Sequence, residues 1–294
     1  TARVIRDGEH VDIPVEQARE RGLVDQQRGV TIPFQAEALS EGKCCLHWIL
    51  DRAPAGQKRE FSLTELRSPA EGATVELKEE EEKIRVQIGG ETFTNYHYGT
   101  GIPRPVLYPI IGPFGDGVTR AYPMEMIEND HTDHPHHRSV WCAWGDVNDS
   151  DNWSEEEHAG RVEHRDLAAC CSGPVFGEIR SVNDWVNQQG GKLMEDRMSY
   201  RFYNLPGGLR FFELEIAFIA TEGDVRFGDT KEGGICSVRV AAPMEVDRGG
   251  KIENAYGGIN EPETWGKRAP WCDYSGMVEG NRVGVAVFDH PSNF

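Results

Sequence analysis

No run among the 294 residues approaches the roughly 20 consecutive apolar positions that a bilayer-spanning helix needs. The most apolar stretches, such as Val283 to Phe288, are strand-sized. Positive charge is scarce too: 31 Lys and Arg stand against 49 Asp and Glu, a formal net charge of −18. A nucleic-acid binder, or a protein held on an anionic membrane, needs a basic footprint, so neither partner is expected. No CxxC occurs among the 7 cysteines, whose number is odd and which include two adjacent pairs, Cys44-Cys45 and Cys170-Cys171. That is no disulfide framework, and it predicts reduced, buried thiols that serve packing. A phosphate loop is missing: Gly112 to Gly117 is glycine-rich but lacks the Lys-Ser/Thr ending. Nor is a signal peptide legible. A cytoplasmic address is the expectation, with a periplasmic or secreted one if an upstream segment was removed.

Helical periodicity is as sparse, since only Val15 to Val24 reads as a helix. Strand patterns dominate from about residue 75. Lys83 to Ile88 alternates apolar and polar side chains and stops at Gly89-Gly90. Met198 to Phe202 alternates up to the turn signal Leu205 to Gly208. Leu209 to Ala220 alternates with a phase shift at Phe211-Phe212, which predicts a β-bulge. Gln188 to Gly191 and Gly249-Gly250 are further turns. The four acids Glu79 to Glu82 read as a solvated turn before a strand. These signals predict a mainly β protein: a large antiparallel β-sandwich in one domain, with residues 1–70 as an N-terminal subdomain or edge sheet.

The densest chemistry lies in His131 to Arg138, where four of the ten histidines fall in seven residues. In an extended chain His134 and His136 would share a face and His137 would point away. Two imidazoles on one face can divide acid and base roles or, with Asp133 or His290, hold a divalent metal. No cofactor beyond such a metal is implied. A hydrogen-bonded cluster that merely holds a loop is the plainer alternative. Downstream, Trp144, Asp146, Asn148 and Trp153 offer indole faces and short polar groups of the kind that recognise sugars. Arg104 and Arg120 are candidate ligands for an acidic or hydroxylated substrate. Later segments place Asp229, Lys231 and Glu232 between glycines, and Lys267, Asp273 and His290 near strand-like runs. Loops of this kind, gathered at one end of a sandwich, commonly form its site.

Taken in order, Arg104 to Pro109, Thr132 to Ser139, Trp144 to Asn148, Gly173 to Gly177, Phe227 to Gly233, Trp265 to Tyr274 and Phe288 to Asn293 resemble the methane oxygenase PmoA-like family. This is a group of soluble bacterial proteins, distinct from the membrane subunit whose name it borrows. The resemblance covers about residue 95 to the C-terminus. It implies a galactose-mutarotase-like β-supersandwich, and in that family a further Trp/His-containing stretch follows the Phe288-Asp289-His290-Pro291 segment. Enzymes of that fold shuttle protons on sugars with a His and a carboxylate. By that analogy His134 or His136 is the acid and Asp229 or Glu232 the base. Arg104, His137, Trp144, Asp146, Asn148, Trp153, Lys231, Lys267, Asp273 and His290 would then contact a carbohydrate. The expectation is an epimerase, lyase or hydrolase. A metal-dependent enzyme and a non-catalytic sugar-binding module are the alternatives.

Overall fold

The computed structural model describes residues 9–40, 42–50, 54–65, 74–128 and 130–293. Residues 9–65 form six short strands: β1 (Glu9–Val11), β2 (Arg21–Asp25), β3 (Val30–Ile32), β4 (Phe34–Ser40), β5 (Lys43–Trp48) and β6 (Phe61–Glu65). They make two three-stranded antiparallel sheets, β1-β5-β4 and β3-β2-β6. A small apolar cluster of Ala18, Ala36, Cys44 and Leu46 supports them. The predicted helix over Val15 to Val24 is cut short. Helix α1 covers only Val15–Arg19, and the next residues enter β2, where Leu23 is buried. Tertiary pairing overrides a weak local propensity here.

The remaining strands build the main body. A six-stranded sheet is ordered β16-β11-β10-β9-β8-β7, from β7 (Val75–Glu80), β8 (Lys83–Ile88), β9 (Glu91–His97), β10 (Val106–Leu107), β11 (Val140–Trp144) and β16 (Gly233–Val238). A four-stranded sheet follows the chain: β12 (Arg161–Cys171), β13 (Phe176–Val186), β14 (Lys192–Tyr203) and β15 (Phe212–Ile219). The C-terminal sheet is β17 (Lys251–Asn254), β18 (Trp271–Val278) and β19 (Asn281–Phe288). Every ladder is antiparallel, so the chain is mainly β, as expected. The bulge expected at Phe211-Phe212 is absent. Leu209 to Phe211 precede β15, whose register with β14 is unbroken from Glu195↔Ile219 to Phe202↔Phe212.

Two rows of side chains, one residue out of phase, cross the six-stranded sheet. Ile84, Tyr96, Leu107, Val140 and Val238 are cross-strand partners and face the main core. That core also takes Ile179, Trp185, Met198 and Phe202 from the four-stranded sheet. The sheets come close at Gly177, where a Cβ would lie 2.7 Å from Val75, so only glycine fits. Between them runs a buried polar chain. The Asp196 carboxylate accepts hydrogen bonds from Asn183 Nδ2 (2.7 Å) and Trp185 Nε1 (2.6 Å), and the Tyr96 hydroxyl bonds Ser181 Oγ at 2.9 Å. Burial pushes Asp196 up to about 6, against the pull of its two donors.

The second row is Lys83, His97, Val106, Trp141 and Ser237, on the opposite face. Val106, Trp141 and Ala143 pack there with Trp153, and Ile102 and Met124 close over them. This outer face is covered by the long β10–β11 connection, which carries the histidines. The small N-terminal sheets attach elsewhere. Gln35 Oε1 accepts the Phe176 amide at 3.2 Å, and Arg201 bonds Glu37 while lying 4.2 Å over the Phe176 ring. Among the described residues no helix is long and apolar enough to cross a membrane.

Candidate functional site

The histidine segment is not extended. The His137 amide donates to His134 O at 3.0 Å and His134 takes a positive φ of 46°, so residues 134–137 close a tight turn. This corrects the face assignment made from a period of two. His137 folds back until its ring stacks on His134, with centroids 4.8 Å apart and planes at 12°. His136 lies 5.6 Å from His134 and 4.6 Å from His137. All three imidazoles therefore form one cluster. Its floor is indole: His137 stacks on Trp141 at 5.1 Å and meets Trp153 edge-on at 5.7 Å.

Two buried arginines hold this turn from below. Arg120 has no exposed side-chain surface; it donates to Asp133 Oδ1 (2.8 Å), His134 O (2.8 Å) and His137 O (3.2 Å). Arg104, equally buried, donates to His136 O (3.3 Å) and to the carbonyls of Asn152, Trp153 and Ser154. The reading of Arg104 and Arg120 as substrate ligands is thus replaced. Their donors are turned inward to backbone carbonyls and, for Arg120, to the half-exposed Asp133 carboxylate, and they act on the site by fixing the main chain of residues 134, 136, 137 and 153. Burial lowers Arg104 to about 10, and the nearby Glu155 charge opposes that shift. Glu155 itself is clamped by Arg138 through bonds of 2.7 and 2.6 Å, a further support the sequence alone did not single out.

Within the cluster the three histidines differ. The Asp133 carboxylate takes His134 Nδ1 at 2.5 Å, and both side chains are about half exposed. A carboxylate on Nδ1 selects the tautomer that leaves Nε2 for proton exchange. Burial works to raise Asp133, but the His134 hydrogen bond and the charges of Arg239 and Arg120 prevail and hold it below the usual carboxylate range. His136 is lowered by burial first, then by Arg104 and His134; Glu155 and Glu232 pull the other way. Glu232 therefore bears on the cluster electrostatically. His137 is driven down to about 3 by burial and by its neighbours His136 and His134, which keeps it neutral. Its Nδ1 and the indole nitrogens of Trp141 and Trp153 are buried without hydrogen-bond partners.

The other candidates fall into two groups away from the imidazoles. Trp144, Asp146 and Asn148 clasp the loop before β16. Trp144 Nε1 donates to Gly228 O at 3.0 Å and its ring meets Phe227 edge-on. Asn148 spends both ends of its amide on Asp224 O and the Arg226 amide. Asp146 faces Arg226 at 3.6 Å and accepts the Asp149 amide. The polar groups of these three side chains are spent on tying that loop down, away from the imidazoles; the indole that β11 places against the imidazoles is Trp141, buried beneath His137. Asp229 is exposed, and Lys231 is exposed with Glu232 3.6 Å away. Lys267, Asp273 and His290 lie on or beside the C-terminal sheet. His290 bonds Ser292 Oγ at 2.6 Å, and the Lys267 amide donates to Thr264 O. Burial and Glu253 raise Asp273. Among the described residues no hydrogen bond or ion pair ties these three to the histidine turn. Nor does any group of three or more His, Cys, Asp or Glu there have the placement to hold a metal, so Asp133, His134, His136 and His290 do not form the ligand set considered from sequence. His164 joins the polar core through Asn183 at 3.2 Å. Of the cysteines expected to be buried, Cys44, Cys45 and Cys142 are, whereas Cys170 and Cys272 are partly exposed and Cys171 and Cys236 exposed.

The same outer face holds a cleft of about 310 Å³ lined by Glu81, Glu82, Lys83, His97, Gly99, Gly101 and Ile102. Neither His97 nor Lys83 was a candidate. Their one legible signal was a polar phase on a strand whose other phase is apolar.

The chain belongs to a family of unknown function, DUF6807, whose sequence model covers residues 83–294, from β8 through the C-terminal sheet. No curated protein and no solved structure matches the chain.

Proposed function

We propose that the protein is a carbohydrate-active enzyme of the acid–base type, an epimerase, lyase or hydrolase, with the histidine turn as its centre. The observation that carries this reading is the half-exposed His134 imidazole, oriented by Asp133 at 2.5 Å and set among two further rings on an indole floor. His134 moves the proton, Asp133 orients it and stabilises the imidazolium, and His136 with Glu232 supplies the second proton-transfer group. Asp229 drops out of the role once shared with Glu232. His137, kept neutral, is a packing and positioning residue. The same reading includes a galactose-mutarotase-like supersandwich and kinship with the PmoA-like proteins, both supported by the motif order along the chain.

The test is turnover in D₂O. D-glucose, D-galactose and D-mannose, each as monomer and β-linked dimer, are followed by proton NMR for anomer exchange, C–H deuteration and cleavage, and by ultraviolet absorbance for elimination. Replacing His134 and His136 by Asn should lower the active rate by about 10²–10⁴-fold. An unchanged rate in that variant sinks the reading. Saturable binding that survives the histidine changes but is lost in Trp153→Ala, without turnover, identifies a binding module instead.

A further inference from the structure

The cleft and the histidine cluster lie over neighbouring strands on the same face of the six-stranded sheet, with the buried Val106 and Trp141 between and beneath them. Lys83 pairs with His97, His97 with Val106, and Val106 with Trp141, so the four side chains emerge on the same side of the sheet. His97 and Trp141 are two strand spacings apart, about 10 Å. Ile102 is the wall they share: it lines the cleft on one side and packs on the Val106, Trp141 and Trp153 cluster on the other.

The lining has an amphipathic character. One wall presents Lys83, His97 and the acids of the β7–β8 turn; the other is glycine backbone and Ile102. Glu82, at a positive φ of 58°, has its carboxylate anchored by the Thr100 amide and hydroxyl at 3.4 and 3.3 Å. Gly99 makes that possible, since a Cβ there would lie 2.5 Å from the Glu82 carboxylate. His97 Nε2 meets Tyr108 O at 3.0 Å, which fixes the ring at the base of the cleft. The opening is thus shaped and held by its own bonds, and its volume lies within the range of small-molecule sites. Two carboxylates at the rim of a chain with net charge −18 repel a polyanion. Hydroxyls suit the Glu81 carboxylate and the Lys83 ammonium donors left over from its 3.4 Å contact with Glu80, and C–H faces suit Ile102 and the glycine wall.

We infer that this cleft is a second subsite on the same face as the histidine turn, and that the ligand is a neutral oligosaccharide long enough to cross Ile102 and occupy both. The inference rests on the carbohydrate reading above and adds its substrate class: length and neutrality.

The test uses isothermal titration of cello-, xylo- and manno-oligosaccharides of one to four units, with galacturonate oligomers as the acidic arm. At least one neutral series should bind about tenfold tighter at three or four units than at one. Gly101→Trp fills the cleft, and the position accepts it: φ is not in the left-handed region and nothing lies within 4 Å of its Cβ. In that variant the ratio of monomer to oligomer Kd should collapse towards one. Lys83→Gln with His97→Gln should lower it partly, which guards against a misfolded tryptophan variant; urea midpoints report folding of both. The His134→Asn, His136→Asn chain should keep the ratio while losing turnover. Affinity independent of length, a length gain that survives Gly101→Trp, tighter binding of galacturonate oligomers, or no binding at all overturns the inference. A length gain that persists while turnover ignores the histidines overturns the catalytic reading alone.

Discussion

The two faces of the six-stranded sheet are built from the same strands, one residue out of step, and they solve opposite problems. The row Ile84, Tyr96, Leu107, Val140 and Val238 meets a second sheet and is dry. The row Lys83, His97, Val106, Trp141 and Ser237 meets only loops, and there the imidazoles, the indoles and the cleft collect. Polar groups occur on both faces. On the inner one Asp196 is enclosed by paired donors; on the outer one His134 and Asp133 stay half exposed. A sheet that is covered on one face by another sheet gains stability there and leaves the loop-covered face free for chemistry.

The comparison is broken most readily where its two rows touch stability. Leu107→Ala removes a fully buried inner-face side chain and should cost about 3 kcal/mol. Lys83→Gln, on the same strand set but outward, should stay within about 0.5 kcal/mol. Urea denaturation of both variants checks the contrast, and similar losses would mean that the outer row is also core.

Arg104→Met should come next. It strips the carbonyls of His136, Asn152, Trp153 and Ser154 of a donor and should cost about 2 kcal/mol. Because it loosens the turn, it should also quench the Trp141 and Trp153 environment seen by near-ultraviolet circular dichroism. Retained tryptophan signals would show that the turn stands without its clamp.

The most diagnostic contrast lies in pH, because the two faces carry opposite pH responses. His137 is depressed to about 3, so the unfolded chain binds a proton first, and this contribution to stability is lost as pH falls from about 6.5 towards 3. Asp196 is raised to about 6, so its contribution is full at low pH and is lost as pH rises from about 4 through 6. His137→Gln should flatten the loss on acidification, whereas Asp196→Asn should steepen it between pH 6 and 4. Urea midpoints measured across that window check both slopes; parallel curves would remove the distinction.

Much of the framework was readable along the chain. Lys83 to Ile88 is a strand to the residue because its alternation matches a sheet buried on one face. The turns at Gly89-Gly90 and Gln188 to Gly191 follow from glycine's freedom at positive φ. That His134, His136 and Trp153 gather in one place was consistent with the sequence reading too. What misled was local geometry taken from composition. Residues 134–137 were read as an extended segment, yet the chain turns there and brings His137 onto His134. The arginines and Trp144 were read by the chemistry of their heads, and those heads are used by the backbone.

Alternation, glycine placement and charge, all local properties, determined a β protein with an acidic surface and a histidine-rich segment of interest. Which face each row would occupy was decided only in three dimensions, because register between distant strands sets Lys83 beside His97 and Val106 beside Trp141. Whether an arginine binds a ligand or a carbonyl was decided there as well: a guanidinium shut away from water turns its donors to acceptors within the fold, which for Arg120 are Asp133 and the carbonyls of the histidine turn, and for Arg104 the carbonyls of His136 and of Asn152, Trp153 and Ser154.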